Sequence, residues 1–268
     1  MNKMIKFDEK LAICYTCCGP TYRKSALDKL NNLYFDHPNI YYFILTDDKE
    51  YFKDVKRKNF VVNELKDFYE QYPKLKIFEP FLESDNEEDY AKKFIEQNYK
   101  FPFSTYRFQL LQAKEFNIHN IAMLGTDTHI NFDTLSNEHF KDKNIIHNMV
   151  TQWFVDANDV KMKVVVDLLK DKYNLVTSEQ INVFDEAARL YVLEDTDKLN
   201  QLFDLWNDVV FSLYEEGKMD CFIGWYAMND EYLLGAIYDV IGISRPKYID
   251  TNILLVNHNP AVERFWMY

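Results

Sequence analysis

Short apolar runs that stop abruptly on polar residues, alternating with helix-like stretches, constrain this chain more than any other feature. Leu11 to Tyr15 is a run of strand formers that passes through a turn, Thr16 to Thr21, into a helix expected over Arg23 to Phe35. Ile40 to Leu45 reads as a second buried strand and ends on Thr46, Asp47 and Asp48. Asn120 to Leu124 is another, running straight into Gly125, Thr126, Asp127, Thr128 and His129. Between them, Leu75 to Phe78 suggests a strand, Glu87 to Gln97 a charged helix and Thr105 to Phe116 an amphipathic helix. Strands alternating with helices predict an α/β fold with a mostly parallel central sheet flanked by helices. Ligands bind such sheets beyond the carboxyl ends of the strands. The polar ends near Thr16, Asp47 and Asp127 are therefore expected to converge on one crevice.

The second half is less regular. Asp159 to Lys170, Asp197 to Glu216 and Asp230 to Ile241 read as helices, Cys221 to Tyr226 as a strand, and the tail from Ile253 as a strand leading to a loop. With 268 residues, only 6 Gly and 7 Pro, and neither a linker-like segment nor a repeat, the expectation is a single domain with a C-terminal extension. Residues from about 1 to 133 would form its first half, and those from about 134 to 268 its second half and closing tail. The balance of 31 basic against 43 acidic residues gives −12, a charge that repels a phosphate backbone, so strong nucleic-acid binding is not expected. Met1 to Lys10 lacks an apolar signal-type core, and no apolar stretch reaches the length of a transmembrane segment, which leads to the expectation of a cytoplasmic protein. Cys14, Cys17, Cys18 and Cys221 lack zinc-site spacing and read as buried reduced thiols. The absence of a Walker-type loop, a dinucleotide fingerprint and a nucleophile elbow argues against P-loop NTPases, ordinary dinucleotide oxidoreductases and serine hydrolases.

Several residues are placed for chemistry. Asp127 and His129, two apart after a buried strand, suit Mn²⁺ or Mg²⁺ bridging a diphosphate, though a polar turn follows many strands in α/β domains. His258, in Asn-His-Asn-Pro, is either a third metal ligand on a tail that folds back or a surface histidine. Asp230 and Glu231 follow an aromatic run and read either as a helix N-terminus or as site carboxylates. In the second case, Glu231 would stabilise an oxocarbenium-like centre or attack it, and Asp230 would hold a sugar hydroxyl. Arg107 offers a planar fork of donors for phosphate or carboxylate. Trp153, Phe154, Trp225 and Tyr226 are aromatic surfaces on which a sugar or base can stack.

Three segments together resemble the retaining glycosyltransferase family that includes the histo-blood-group A and B transferases and their bacterial relatives. The opening Leu-Ala-Ile-Cys-Tyr-Thr-Cys-Cys-Gly-Pro-Thr-Tyr, followed by Tyr-Tyr-Phe-Ile-Leu-Thr-Asp-Asp, is similar to that family's first strand, nucleotide-contacting loop and Phe-Thr-Asp strand end. The resemblance implies that Tyr15, Thr16 and Tyr22 border the nucleoside, with Asp47 among the donor residues. Phe101 to Phe108 resembles the segment before the metal motif in bacterial members, which implies that Arg107 lies near the donor. The family's Asp-x-Asp motif falls on Gly125-Thr126-Asp127, so the first aspartate is missing and His129 is its possible substitute. Trp225 to Glu231 resembles the Trp-His-Asp-Glu segment, with Asn229 in place of the histidine, and implies catalytic roles for Glu231 and Asp230. The tail looks loosely like the His-containing C-terminal motif of glycogenin-type enzymes.

The resemblance implies a GT-A type fold and a nucleotide-sugar-dependent glycosyltransferase. The donor expected is a UDP-sugar bound with a divalent metal, from which a hexose passes with retention to a hydroxyl acceptor such as a glycan or a modified DNA base. Trp153, Trp225 and Tyr226 are the expected acceptor residues. Two rival readings are a metal-dependent nucleotidyltransferase and a non-catalytic sugar- or nucleotide-binding protein that keeps the fold.

Overall fold

The structure, a computed structural model, describes residues 8–71, 73, 102–126, 128–141, 145–192, 196–218, 230–243, 247–248 and 254–256. The expected strand at Leu75 to Phe78, helix at Glu87 to Gln97 and strand at Cys221 to Tyr226 lie outside them. So do Asp127, Trp225, Tyr226 and His258.

The chain begins as a repeating strand–helix unit. β1 (Leu11–Cys17) leads into α1 (Pro20–Asn32), then β2 (Ile40–Thr46), β3 (Phe60–Glu64) and α2 (Leu65–Gln71). α3 (Pro102–Glu115) returns the chain to β4 (Asn120–Leu124), which is followed by the short β5 (Thr128–Ile130) and α4 (Glu138–Lys141). β6 (Ile145–Asp156), α5 (Val160–Tyr173) and β7 (Gln180–Val192) come next. The described chain then runs through α6 (Thr196–Glu215), α7 (Asp230–Ile241), β8 (Lys247–Tyr248) and β9 (Leu254–Val256).

Among the described residues, seven strands form one sheet in the order β3-β2-β1-β4-β7-β6-β8. The first four are mutually parallel, as the strand–helix alternation predicts. β7 runs antiparallel to both β4 and β6, and β8 is parallel to β6. The sheet thus crosses from the first half of the chain into the second through the β4–β7 pairing. No described helix is long and apolar enough to cross a membrane.

The unbroken apolar runs of β1, β2 and β4 follow from burial on both faces of a parallel sheet. Alternate residues of β1 serve two cores. Leu11, Ile13, Tyr15 and Cys17 pack with Ala26 and Leu30 of α1, while Ala12 and Cys14 join Leu110 and Ala113 of α3 and the apolar faces of α5, α6 and α7. Cys14, Cys17 and Cys18 are buried free thiols, and burial pushes each well above the ordinary thiol range. Because the thiolate is the reactive species, these three are expected to stay unmodified when the native protein meets iodoacetamide at pH 8 and to react fully once it is unfolded. Peptide mapping by mass spectrometry reads this, and rapid native labelling of Cys17 or Cys18 would contradict the burial.

The β6–β7 pair is longer than the sheet it joins. Leu124, the last residue of β4, pairs with Ala188, so residues 180–187 of β7 and their β6 partners continue past the carboxyl end of β4. This overhang is roughly 25 Å along the ribbon, at about 3.3 Å per residue. Register shifts between His147 and Thr151 fall where the ribbon leaves the sheet, and such irregularities bend a strand and increase its twist. α7 packs on β7. Its approach depends on Gly235, where an added Cβ would lie 2.6 Å from the Asn182 carbonyl oxygen.

Candidate active site

The order of the parallel strands fixes where a crevice opens. From β1 the chain crosses to β2 and β3 on one side, and it returns to place β4 on the other. β1 and β4 therefore flank the point where the connections diverge, which is where open α/β sheets bind ligands. Tyr15 pairs with Leu124, so the next residues, Thr16 and Gly125, leave the sheet side by side. β2 ends alongside, Cys17 pairing with Thr46. The strand ends at Thr16, Asp47 and Gly125–Thr126 are thus neighbours, and Asp127 is the next residue in the chain.

The loop after β1 is held by Asp47. Gly19, at φ 86°, turns the chain into α1, and Pro20 starts the helix where its missing N–H costs nothing. The Gly19 N–H donates to both carboxylate oxygens of Asp47 at 3.2 Å, Thr46 Oγ1 donates to Oδ1 at 3.2 Å, and Arg23 Nη1 donates to Oδ2. Arg23 lies over the Tyr51 ring, 5.4 Å from its centroid. The positive end of the α1 dipole is therefore met by the protein's own carboxylate, and Asp47 acts as an anchor of the loop.

Tyr15 is wholly buried. Its hydroxyl donates to the Thr128 carbonyl at 2.7 Å and lies 2.5 Å from the Tyr34 hydroxyl, and Gln109 Nε2 donates to the Tyr15 carbonyl at 2.8 Å. Burial holds the Tyr34 hydroxyl well above the ordinary phenol range, and the Tyr15 bond to Thr128 ties β1 to β5. Tyr15 presents no ring surface at the crevice. Tyr22 packs at the edge of the α1 core, and both it and Thr16 are half-buried.

β5 carries His129. Thr128 and Ile130 are buried on one face, and the two-residue period of a strand turns His129 to the other. His129 Nδ1 is buried with no hydrogen-bond partner among the described residues. Burial, and secondarily the Lys29 charge, lowers the His129 pKa below the usual imidazole value. The ring is therefore neutral at pH 7, the form that ligates metals. An orphaned imidazole nitrogen two residues from Asp127 fits a divalent-cation site. Among the described residues alone, no group of three His, Cys, Asp or Glu side chains forms a metal cluster. β9 pairs with β5, Val256 opposite Thr128 and Leu255 opposite His129, so the tail strand ends two residues before His258 and beside the residue that follows Asp127.

Asp230 and Glu231 open α7 on the overhanging ribbon. Trp153 of β6 makes an edge contact with Tyr232, centroids 6.1 Å apart. The structure thus brings together Trp153 and the first turn of α7, two features the sequence marked separately. Trp153 pairs with Val183, well past the end of β4, so both stand on the carboxyl side of the sheet. Phe154 is exposed on the same strand. Arg107 lies on α3, which packs beneath β1.

Two residues that sequence reading passed over hold the Thr126 carbonyl. Ser25 Oγ donates to the Thr126 carbonyl at 2.6 Å, and Lys29 Nζ donates to the same carbonyl and to Ser25 Oγ at 3.0 Å. One signal was available: Lys29 falls between Ala26 and Leu30 on the buried stripe of α1, an unusual place for lysine.

No family model matches the chain, and no curated protein is similar to it in sequence. Among solved structures it is similar to mouse xyloside xylosyltransferase 1 in its apo form, with 12% identity and a TM-score of 0.39, covering 91% of this chain and 85% of that one. A likeness at that score fixes neither a fold family nor a substrate.

Proposed function

We propose that this chain is a GT-A type glycosyltransferase that takes a sugar from a nucleoside diphosphate, UDP being the first choice, and passes it to a hydroxyl acceptor. The observation that carries the reading is the convergence of the β1, β2 and β4 ends at the sheet's switch point, beside a ribbon that extends past them and carries Trp153 and the first turn of α7. In this reading Thr16 and Tyr22 border the nucleoside and Arg107 binds the donor. Asp127, with neutral His129 and His258, would hold Mn²⁺ or Mg²⁺, which when bound neutralises charge on the departing diphosphate. Glu231 faces the anomeric carbon and Asp230 holds a donor-sugar hydroxyl, while Trp153, Trp225 and Tyr226 stack against the acceptor. Retention of configuration is carried by the resemblance of the Trp225–Glu231 segment. A second reading, a nucleotide-binding protein without turnover, is favoured by one observation, the glycine at position 125 where the resembled motif has its first aspartate.

A thermal-shift panel of UDP, GDP, CMP and their sugars, each with Mn²⁺ or EDTA, tests the proposal. A ligand at a hundred times its dissociation constant adds about 2.7 kcal/mol, which for a chain of this size raises Tm by roughly 5 °C or more. The expected result is a Mn²⁺-dependent shift with UDP that Asp127→Asn removes, because an amide is a poorer ligand for a hard cation. Silence across the panel would sink the donor site. A shift unchanged in Asp127→Asn would remove Asp127 from the metal.

A further inference from the structure

We propose that Lys29, seconded by Ser25, is the positioning residue for the turn that carries Asp127. The inference rests on the glycosyltransferase reading for the metal that Asp127 holds, and on geometry alone for the grip on the turn. Ser25 and Lys29 lie one helical turn apart on α1, so their side chains share a face. Both donate to the Thr126 carbonyl, using both of its lone pairs. On the far side of Asp127 the Thr128 carbonyl accepts from the Tyr15 hydroxyl, and the Thr128 N–H donates to the Gly125 carbonyl at 2.9 Å. The peptide group before Asp127 is therefore held from α1 and the one after Thr128 from β1, with the Thr128 N–H closing the turn between them.

The choice of lysine adds something a serine cannot. Lys29 is only 7% exposed, and burying an ammonium is costly. A neutral donor would satisfy the carbonyl at lower cost. A fixed positive charge beneath the Thr126 carbonyl favours the ionised form of a carboxylate at position 127, the form that would bind a divalent cation. Side chains that orient metal ligands in this way typically change metal affinity 10- to 100-fold when removed.

Hydrogen exchange on the ligand-free protein reads the grip directly. In Lys29→Met the Thr128 amide is expected to exchange roughly ten-fold faster or more while amides of β1 and β2 keep their wild-type rates, the mark of a local opening. Ser25→Ala is expected to do the same to a smaller degree, and it tests the grip even if Lys29→Met folds poorly. An increase spread evenly over the sheet, or none at Thr128, overturns the proposal. The second arm titrates Mn²⁺ into the UDP complex by electron paramagnetic resonance. Lys29→Met is expected to bind Mn²⁺ about ten-fold more weakly, with UDP affinity in EDTA unchanged. Equal Mn²⁺ affinity in the two proteins overturns the role of Lys29. A wild-type protein with no Mn²⁺-dependent UDP binding overturns the glycosyltransferase reading instead, and the exchange arm still decides whether Lys29 holds the turn.

Discussion

Replacing Glu231 by glutamine is expected to lower turnover by about three to four powers of ten, some 4 to 5 kcal/mol of barrier, while UDP affinity stays within about two-fold of wild type. The substitution keeps shape and removes only charge. A carboxylate facing the anomeric carbon matters most when positive charge develops there, so its loss falls on kcat and leaves ground-state binding alone. Glu231 is also the second residue of α7, where a negative charge complements the helix dipole. That role alone accounts for about 0.5 kcal/mol of stability. The two roles separate cleanly. If Glu231 serves only the helix end, Glu231→Gln shows a small drop in unfolding free energy and normal turnover, and the carboxylate leaves the mechanism. Initial-rate kinetics beside a urea melt distinguish them in one preparation.

The parts of the fold that were legible in sequence are those where one environment acts over a whole segment. β1, β2 and β4 are apolar end to end because both of their faces are buried, and their polar ends follow because burial stops at the sheet edge. α7 was readable to the residue, Asp230 to Ile241. β3 was missed: its Phe-Val-Val-Asn-Glu is half-buried throughout at the sheet's edge and carries no clear period. β6 and β7 were missed for a different reason. Glu186-Ala187-Ala188-Arg189 is built of helix formers, and the irregular register near Met149 breaks the two-residue alternation that would have marked the ribbon. Their placement is fixed by pairing with β4, a long-range contact that local propensity does not encode. The antiparallel insertion of β7 therefore could not be read from the chain.

The same distinction runs through the site. The strand ends at Thr16, Asp47 and Gly125 follow from the strand pattern alone. The supporting contacts do not, since Ser25 and Arg23 look like ordinary polar residues of a surface helix until α1 is laid on the sheet, and Lys29 shows only by its place on the apolar stripe. Tyr15 illustrates the reverse. Its motif position suggested a nucleoside neighbour, whereas alternation along β1 turns it into the core shared with Tyr34.

Asp47→Asn is expected to destabilise the protein by about 2 to 4 kcal/mol, a little less than the roughly 3 to 5 kcal/mol seen when one partner of a fully buried ion pair is removed and the other charge stays behind. The side chains of Arg23 and Asp47 are 14% and 12% exposed, so solvent screens the pair only weakly. Arg23 Nε is already buried without a partner among the described residues, which leaves the guanidinium little to turn to. The amide of the variant can still accept from Gly19, so the loss isolates the charge. Arg23→Met in the Asp47→Asn background should recover part of the stability, because it removes the stranded cation. The non-additivity of that cycle, measured by denaturant unfolding, gives the coupling between the two. A loss under about 0.5 kcal/mol would place the pair with ordinary surface bridges and take the anchoring role from Asp47. Nucleotide binding completes the argument. If Asp47 only anchors the loop, Asp47→Asn weakens UDP binding in proportion to the loosening of Cys18–Gly19, and the double variant recovers both together. If Asp47 also touches the donor, stability returns in the double variant and affinity does not.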